Sequence, residues 1–167
     1  MEKNNFNLKE FKIPFKYRGA SVVQILLWDL TNKFLFKQTH RSMYEIRATI
    51  LRLFGAKIGK NTKIRPSTKI LYPWKLEIGE DSWVGDEVDL YNLENIHIGR
   101  NTCISQYCKL ITGSHNFKSN DFEYRCESIY IGNNAWLTID CMVLPGVKVE
   151  DGSYYPPRTL IKKLIQK

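Results

Sequence analysis

The stretch AKIGKNTKIRPSTKILYPWKLEIGEDSWVGDEVDLYNLENIHIGRNTCISQYCKL (56–110) decides the fold. Aliphatic residues recur in it every six positions: Ile58, Ile64 and Ile70, then Ile78, Val84 and Leu90 after a shift of two, then Ile98, Ile104 and Leu110 after another shift of two. The count resumes downstream at Ile131, Leu137, Val143 and Val149. All thirteen anchors are Ile, Val or Leu. Those types make up about a quarter of the chain, so chance agreement is on the order of 10⁻⁸ before allowing for the choice of register. A period of six is not that of an α-helix, whose side chains repeat every 3.6 or so residues. It fits a short strand plus a corner. Three such units close one triangular coil, and its aliphatic anchors point into a core continued by the coils above and below.

A second position supports the first. Four residues after an anchor the side chain is usually small or β-branched, as at Thr62, Thr68, Ser82, Thr102, Ala135 and Cys141. Trp74 and Glu94 depart from the rule, and each precedes one of the two-residue shifts, placed at Leu76-Glu77 and Ile96-His97. The shifts lie 20 residues apart, which assigns them to the same corner of successive coils. Toward the C-terminus the count continues through Tyr155 and Ile161, and Pro156-Pro157 suits a corner better than a helix interior. A last irregular coil is therefore expected over 159–167 in preference to a short basic helix.

Upstream the rhythm differs. From Ala20 to Phe54 apolar residues recur at three- and four-residue steps (Val22, Val23, Leu26, Leu27, Leu30; then Ile46, Ile50, Leu51, Phe54), with Gly55 at the stop. Two amphipathic helices are expected, packed against the rest of the chain or, alternatively, touching a membrane surface. The domain reading is an N-terminal extension over 1–55 and an all-β solenoid over 56–167, with a loop at 112–128 inserted between coils.

That loop, TGSHNFKSNDFEYRCES, is the long break in the repeat, and it carries His115, one of three histidines. Insertions in a solenoid often sit on its binding face, and histidine is the side chain best suited to move a proton near neutral pH. From the residues alone, His115 reads either as a general base or as an exposed loop residue without a role. His97 and His40 are weaker candidates.

These residues resemble a known family. The hexapeptide repeat, the TGSH motif (112–115), IGNNAW (131–136) and LPGVKV (144–149) are similar to the left-handed β-helix O-acetyltransferases. RLFGAKIG (52–59), IRPS (64–67), YPWKLEIG (72–79) and LYNL (90–93) look like the colanic-acid-type enzymes of exopolysaccharide biosynthesis. The likeness covers roughly residues 45 to 150. It implies a left-handed parallel β-helix, a homotrimer, acetyl-CoA as acyl donor and a sugar hydroxyl as acceptor; the lack of a secretory signal and four cysteines expected to stay reduced make the cytoplasm the expected setting, with the inner membrane face as the alternative. It also implies that His115 is the general base and that Glu123 is an acid orienting it. Asp86, Asn92 and Ser114 would contact the acceptor. Trp136, Thr138, Lys162 and Lys163 would line the donor site. The C-terminal SYYPPRTLIKKLIQK departs from the family pattern, as does Leu137-Thr138 in place of the usual Ile-Gly. These departures leave open a catalytically reduced scaffold with the same fold.

Composition narrows the alternatives. The 167 residues are 43% apolar and 25% charged, with a net charge of +8, which favours anionic partners without choosing among them. Cys103, Cys108, Cys126 and Cys141 form no C-x-x-C pair, so neither a zinc nor a redox motif is supported. A zinc hydratase on this fold needs three converging histidines, and only His97 and His115 lie in the solenoid. No metal is expected. No basic stripe interleaves with aromatics as nucleic-acid binding requires. The stretch from Ala20 to Phe36 contains Gln24, Asp29, Asn32 and Lys33, too polar to span a bilayer.

Overall fold

The computed structural model describes residues 6–12, 14 and 17–163. From residue 57 onward the chain winds as a parallel β-solenoid with three faces, each a sheet of five short strands. The first face is built from Lys57–Ile58, Leu76–Ile78, Ile96–Ile98, Ile129–Ile131 and Lys148–Val149. The second is built from Lys63–Ile64, Trp83–Val84, Cys103–Ile104, Trp136–Leu137 and Tyr154–Tyr155. The third is built from Lys69–Ile70, Asp89–Tyr91, Lys109–Ile111, Met142–Val143 and Leu160–Ile161.

The six-residue register is the pairing register. Ile58, Ile78, Ile98, Ile131 and Val149 stand one above another, and so do Ile64, Val84, Ile104 and Leu137, and Ile70, Leu90, Leu110 and Val143. All thirteen anchors are buried. The small position is explained by hydrogen bonds between coils. Thr62, Ser82 and Thr102 donate their hydroxyls to Gly79 O, Gly99 O and Gly132 O at 3.0, 2.7 and 2.7 Å. The last coil continues as expected, with Tyr155 beside Leu137 and Ile161 beside Val143. Residues 164–167 of the expected coil lie outside the described residues.

Coils approach too closely at one corner for a side chain. A Cβ at Gly79 would lie 2.5 Å from the backbone nitrogen of Arg100. Gly79→Ala is expected to lower unfolding stability by about 1–3 kcal/mol in denaturant titration, because backbone must shift to admit the methyl group.

One expectation is corrected. Leu76-Glu77 and Ile96-His97 are not the corner itself: they begin strands of the first face, where Leu76, Ile96 and Ile129 pair in one row and are buried. Burial of Leu76 and Ile96 draws these residues into the sheet. The extra length sits just before them, at 71–75, where Pro73–Lys75 makes a 3-10 turn, and at 92–95. The loop at 112–128 joins the third face to the first and so occupies that same corner one coil further on.

The predicted helices form at Val22–Thr31 (α1), continued by a π-type turn over Asn32–Phe36, and at Tyr44–Leu53 (α2). Ser21 caps α1, its hydroxyl accepting from Gln24 N at 3.2 Å. Together they close the N-terminal end of the solenoid. Trp28, Phe36, Ala48 and Leu51 join the same buried cluster as Ile58, Ile64 and Ile70. Trp28 Nε1 donates to Ile70 O at 3.1 Å. Arg47 is fully buried, and its guanidinium donates to Ile64 O, Thr39 Oγ1, His40 O and Arg41 O at 2.6–2.8 Å. Of these acceptors Ile64 O would otherwise be orphaned, because its strand is the edge of the second face and has no coil beneath it; His40 O also accepts from Met43 N.

Candidate functional site

The long loop folds back on itself as an antiparallel hairpin, Gly113–His115 with Tyr124–Cys126, in which His115 faces Tyr124. The hairpin holds the His115 ring in one orientation. Its Nδ1 lies 2.7 Å from Phe122 O. A carbonyl only accepts, so Nδ1 carries the proton, and in the neutral ring Nε2 is left with a free lone pair. The Phe122 ring stacks on the imidazole at 4.2 Å with a 9° interplanar angle, and Tyr124 lies at 4.7 Å. Phe11, from the N-terminal extension, meets the imidazole edge-on at 5.2 Å. That extension is tied down by Asn7 N donating to Asn120 O at 2.7 Å and Trp74 Nε1 donating to Arg18 O at 2.7 Å. A half-buried imidazole with a fixed tautomer and a tightly packed ring is equipped to take a proton from a hydroxyl.

The remaining predicted residues are placed as follows. Ser114 is exposed on the same hairpin, beside His115. Glu123 is exposed, and its carboxylate accepts from Asn116 Nδ2 at 3.2 Å; the group that orients the imidazole is the Phe122 carbonyl. Asn92 is fully buried, with both ends of its amide bonded to the Tyr72 backbone at 2.6 and 2.9 Å, so it holds the wide corner together. Asp86 lies between the second and third faces, a different corner from His115. Burial raises its carboxyl pKa. Hydrogen bonds from Ser67 and Arg65, and the charges of Arg65 and Arg41, outweigh that and hold it below the usual carboxylate range.

Trp136 is half-exposed on the second face. Its Nε1 donates to Ser105 Oγ at 3.0 Å and its ring meets Tyr154 edge-on at 5.4 Å. The two rings line a depression of about 370 Å³ with Ser105, Gln106, Thr138, Ile139 and Pro157, so Trp136 and Thr138 share it. Thr138 is buried, its hydroxyl donating to Tyr155 O at 2.8 Å. Lys162 is exposed, and Lys163 pairs with Glu127 at the end of the loop. His97 lies on the first face, 3.2 Å from Glu77 and stacked on Tyr130 at 4.7 Å. Among the described residues, no group of three or more His, Cys, Asp or Glu side chains is placed to hold a metal ion.

Within one chain, then, His115 and Ser114 stand together, while Trp136 and Asp86 stand elsewhere on the prism. Phe11 and Phe122 are the site residues that sequence reasoning missed. A backbone carbonyl has no signature in a sequence, and Phe11 lies in an extension with no repeat to place it.

No protein-family model matches the chain. It is 44% identical to the colanic acid biosynthesis acetyltransferase WcaF of Escherichia coli (strain K12) over 157 residues, 94% of this chain and 86% of that protein. It is 26% identical to the galactoside O-acetyltransferase of the same organism over 132 residues, 77% of this chain and 64% of that protein. Among solved structures, a galactoside acetyltransferase in complex with coenzyme A superposes with a TM-score of 0.77 at 21% identity, covering 91% of this chain and 82% of that one. The match shows that the two share a fold.

Proposed function

This chain belongs to the hexapeptide-repeat acetyltransferases of the colanic-acid type, enzymes built on the left-handed β-helix, and from that premise we propose that it transfers an acetyl group from acetyl-CoA to a sugar hydroxyl, with His115 as general base. The observation that carries the reading is the hydrogen bond from His115 Nδ1 to Phe122 O, which reserves Nε2 for the acceptor. In the proposed reaction Nε2 takes the hydroxyl proton while the oxygen attacks the thioester carbonyl carbon. The tetrahedral oxyanion collapses, the carbon–sulfur bond breaks, and the imidazolium returns its proton to the departing CoA thiolate. A positioned base of this kind contributes roughly 10²–10⁴ in rate.

Trp136 and Tyr154 offer flat apolar surface beside the depression of about 370 Å³, which suits the pantetheine arm or the adenine of the donor. Exposed Lys162 adds charge for its phosphates. Because His115 and Trp136 occupy different parts of one prism, the reading includes a homotrimer in which the loop of one copy reaches the second face of its neighbour. The acceptor is read as a sugar of an exopolysaccharide repeat unit on a nucleotide or lipid carrier, which sets the reaction in the cytoplasm or at the inner membrane face.

Calorimetric titration with CoA tests the donor half. Micromolar to submillimolar binding is expected. Trp136→Ala should raise the KM for acetyl-CoA about tenfold with little change in kcat, the signature of lost uniform binding. No heat of binding at millimolar CoA would favour the catalytically reduced scaffold, a reading consistent with Thr138 and Lys163 being engaged within the chain.

A further inference from the structure

Helix α1 turns its apolar side to solvent. Val22, Leu26, Leu30 and Phe34 follow one another at four-residue steps, and Val23 and Leu27 broaden the stripe. Each of these six side chains is more than half exposed, whereas Trp28 and Phe36 on the opposite side are buried. A contiguous stripe of this kind marks an interaction surface. The charge around it indicates which. Residues 20–41, the helix and the segment that follows it, hold Lys33, Lys37 and Arg41 against Asp29, 3 − 1 = +2. Lys33 and Lys37, both exposed, flank Phe34 at the end of the stripe, with Lys33 Nζ 5.1 Å from the Phe34 ring centre, while Arg41 further on pairs with Asp86 at 3.3 Å. An apolar stripe edged by cations is the pattern of a helix lying among the headgroups of an anionic bilayer. A second copy offering the same stripe would set the Lys33 and Lys37 of one chain against those of another, which like-charge repulsion opposes.

From the stripe and its charge we infer that α1 docks the protein on an anionic phospholipid surface. The helix lies at the N-terminal end of the solenoid, with Trp28 bonded to the first coil. In a cyclic trimer about an axis along the coil stack, three stripes would lie in one plane, and weak single contacts would add as multivalent binding. The inference deepens the proposed setting on a lipid-borne acceptor, and its test reads vesicle binding and not turnover, so the two fail separately.

The test is co-flotation of the full-length protein with phosphatidylglycerol–phosphatidylcholine vesicles and with pure phosphatidylcholine vesicles. Binding to the anionic vesicles is expected, weakening as salt rises. Leu26→Ser combined with Leu30→Ser should lower the partition coefficient about a hundredfold, roughly tenfold for each leucine removed from the apolar layer. The melting temperature should hold, since both side chains are exposed. Absence of co-flotation, or a double variant that floats like the parent, overturns the inference. Equal binding to pure phosphatidylcholine overturns its anionic part. A change in oligomeric mass in the variant, with no vesicle binding by the parent, assigns the stripe to a second copy instead.

Discussion

Replacing His115 by alanine is expected to lower kcat for acetyl transfer by roughly 10²–10⁴ while leaving the fold unchanged. The fold should survive because the imidazole sits on a hairpin outside the stacked core. Its neighbours Phe122, Tyr124 and Phe11 still pack on one another: Phe11 meets Phe122 at 6.4 Å and Tyr124 at 5.2 Å. His115→Gln should lose as much activity, since an amide does not take up a proton near neutral pH. Glu123→Gln is the discriminating comparison. Its carboxylate lies on Asn116 and not on the ring, so kcat should change by less than about threefold. Steady-state kinetics with acetyl-CoA and a sugar acceptor, alongside circular dichroism, decide the matter. Turnover in His115→Ala within about threefold of the parent would sink the mechanism.

The largest stability loss is expected at Arg47. Its guanidinium is fully buried and makes four hydrogen bonds to the Ile64, His40 and Arg41 carbonyls and the Thr39 hydroxyl. Hydrogen bonds to a charged group contribute about 1.5–3 kcal/mol each, and a buried acceptor left unpaired costs more than the bond was worth. Arg47→Met keeps much of the apolar volume and removes every donor. Allowing for water reaching some of the carbonyls, the loss should be at least about 3 kcal/mol, a large share of the roughly 5–15 kcal/mol that holds a domain together. At about 2–4 °C per kcal/mol for a chain of this size, the melting temperature should fall by about 6–12 °C. Lysine offers no planar fork and should recover little of this. A drop under about 2 °C would mean that the end of the solenoid is held by apolar packing alone.

The sites of these two predictions were unequally legible. His115 stands out because it occupies a long break in a regular count, and because TGSH matches a family. The device that fixes its tautomer is a main-chain carbonyl brought near by the hairpin turn, and main-chain groups are the same in every sequence. Arg47 gave no signal. A lone arginine in a helical stretch is ordinarily solvated, and only the open end of the first coil makes it a buried clamp. Asn92 shows the converse: an asparagine that looks available for an acceptor turns both ends of its amide to the Tyr72 backbone.

The six-residue rhythm by itself determined the solenoid, its register and the position of its loop. In a stack of coils each residue's partner lies a fixed number of positions away, so local periodicity and tertiary pairing carry the same information. What only the tertiary structure decided is how irregular parts meet: Phe11 against His115, Arg47 beneath Ile64, and the outward turn of α1. A helix apolar on most of its circumference has no strong preference written in its period. It buried Trp28 and Phe36, whose large rings close the solenoid end, and left its aliphatic stripe to solvent.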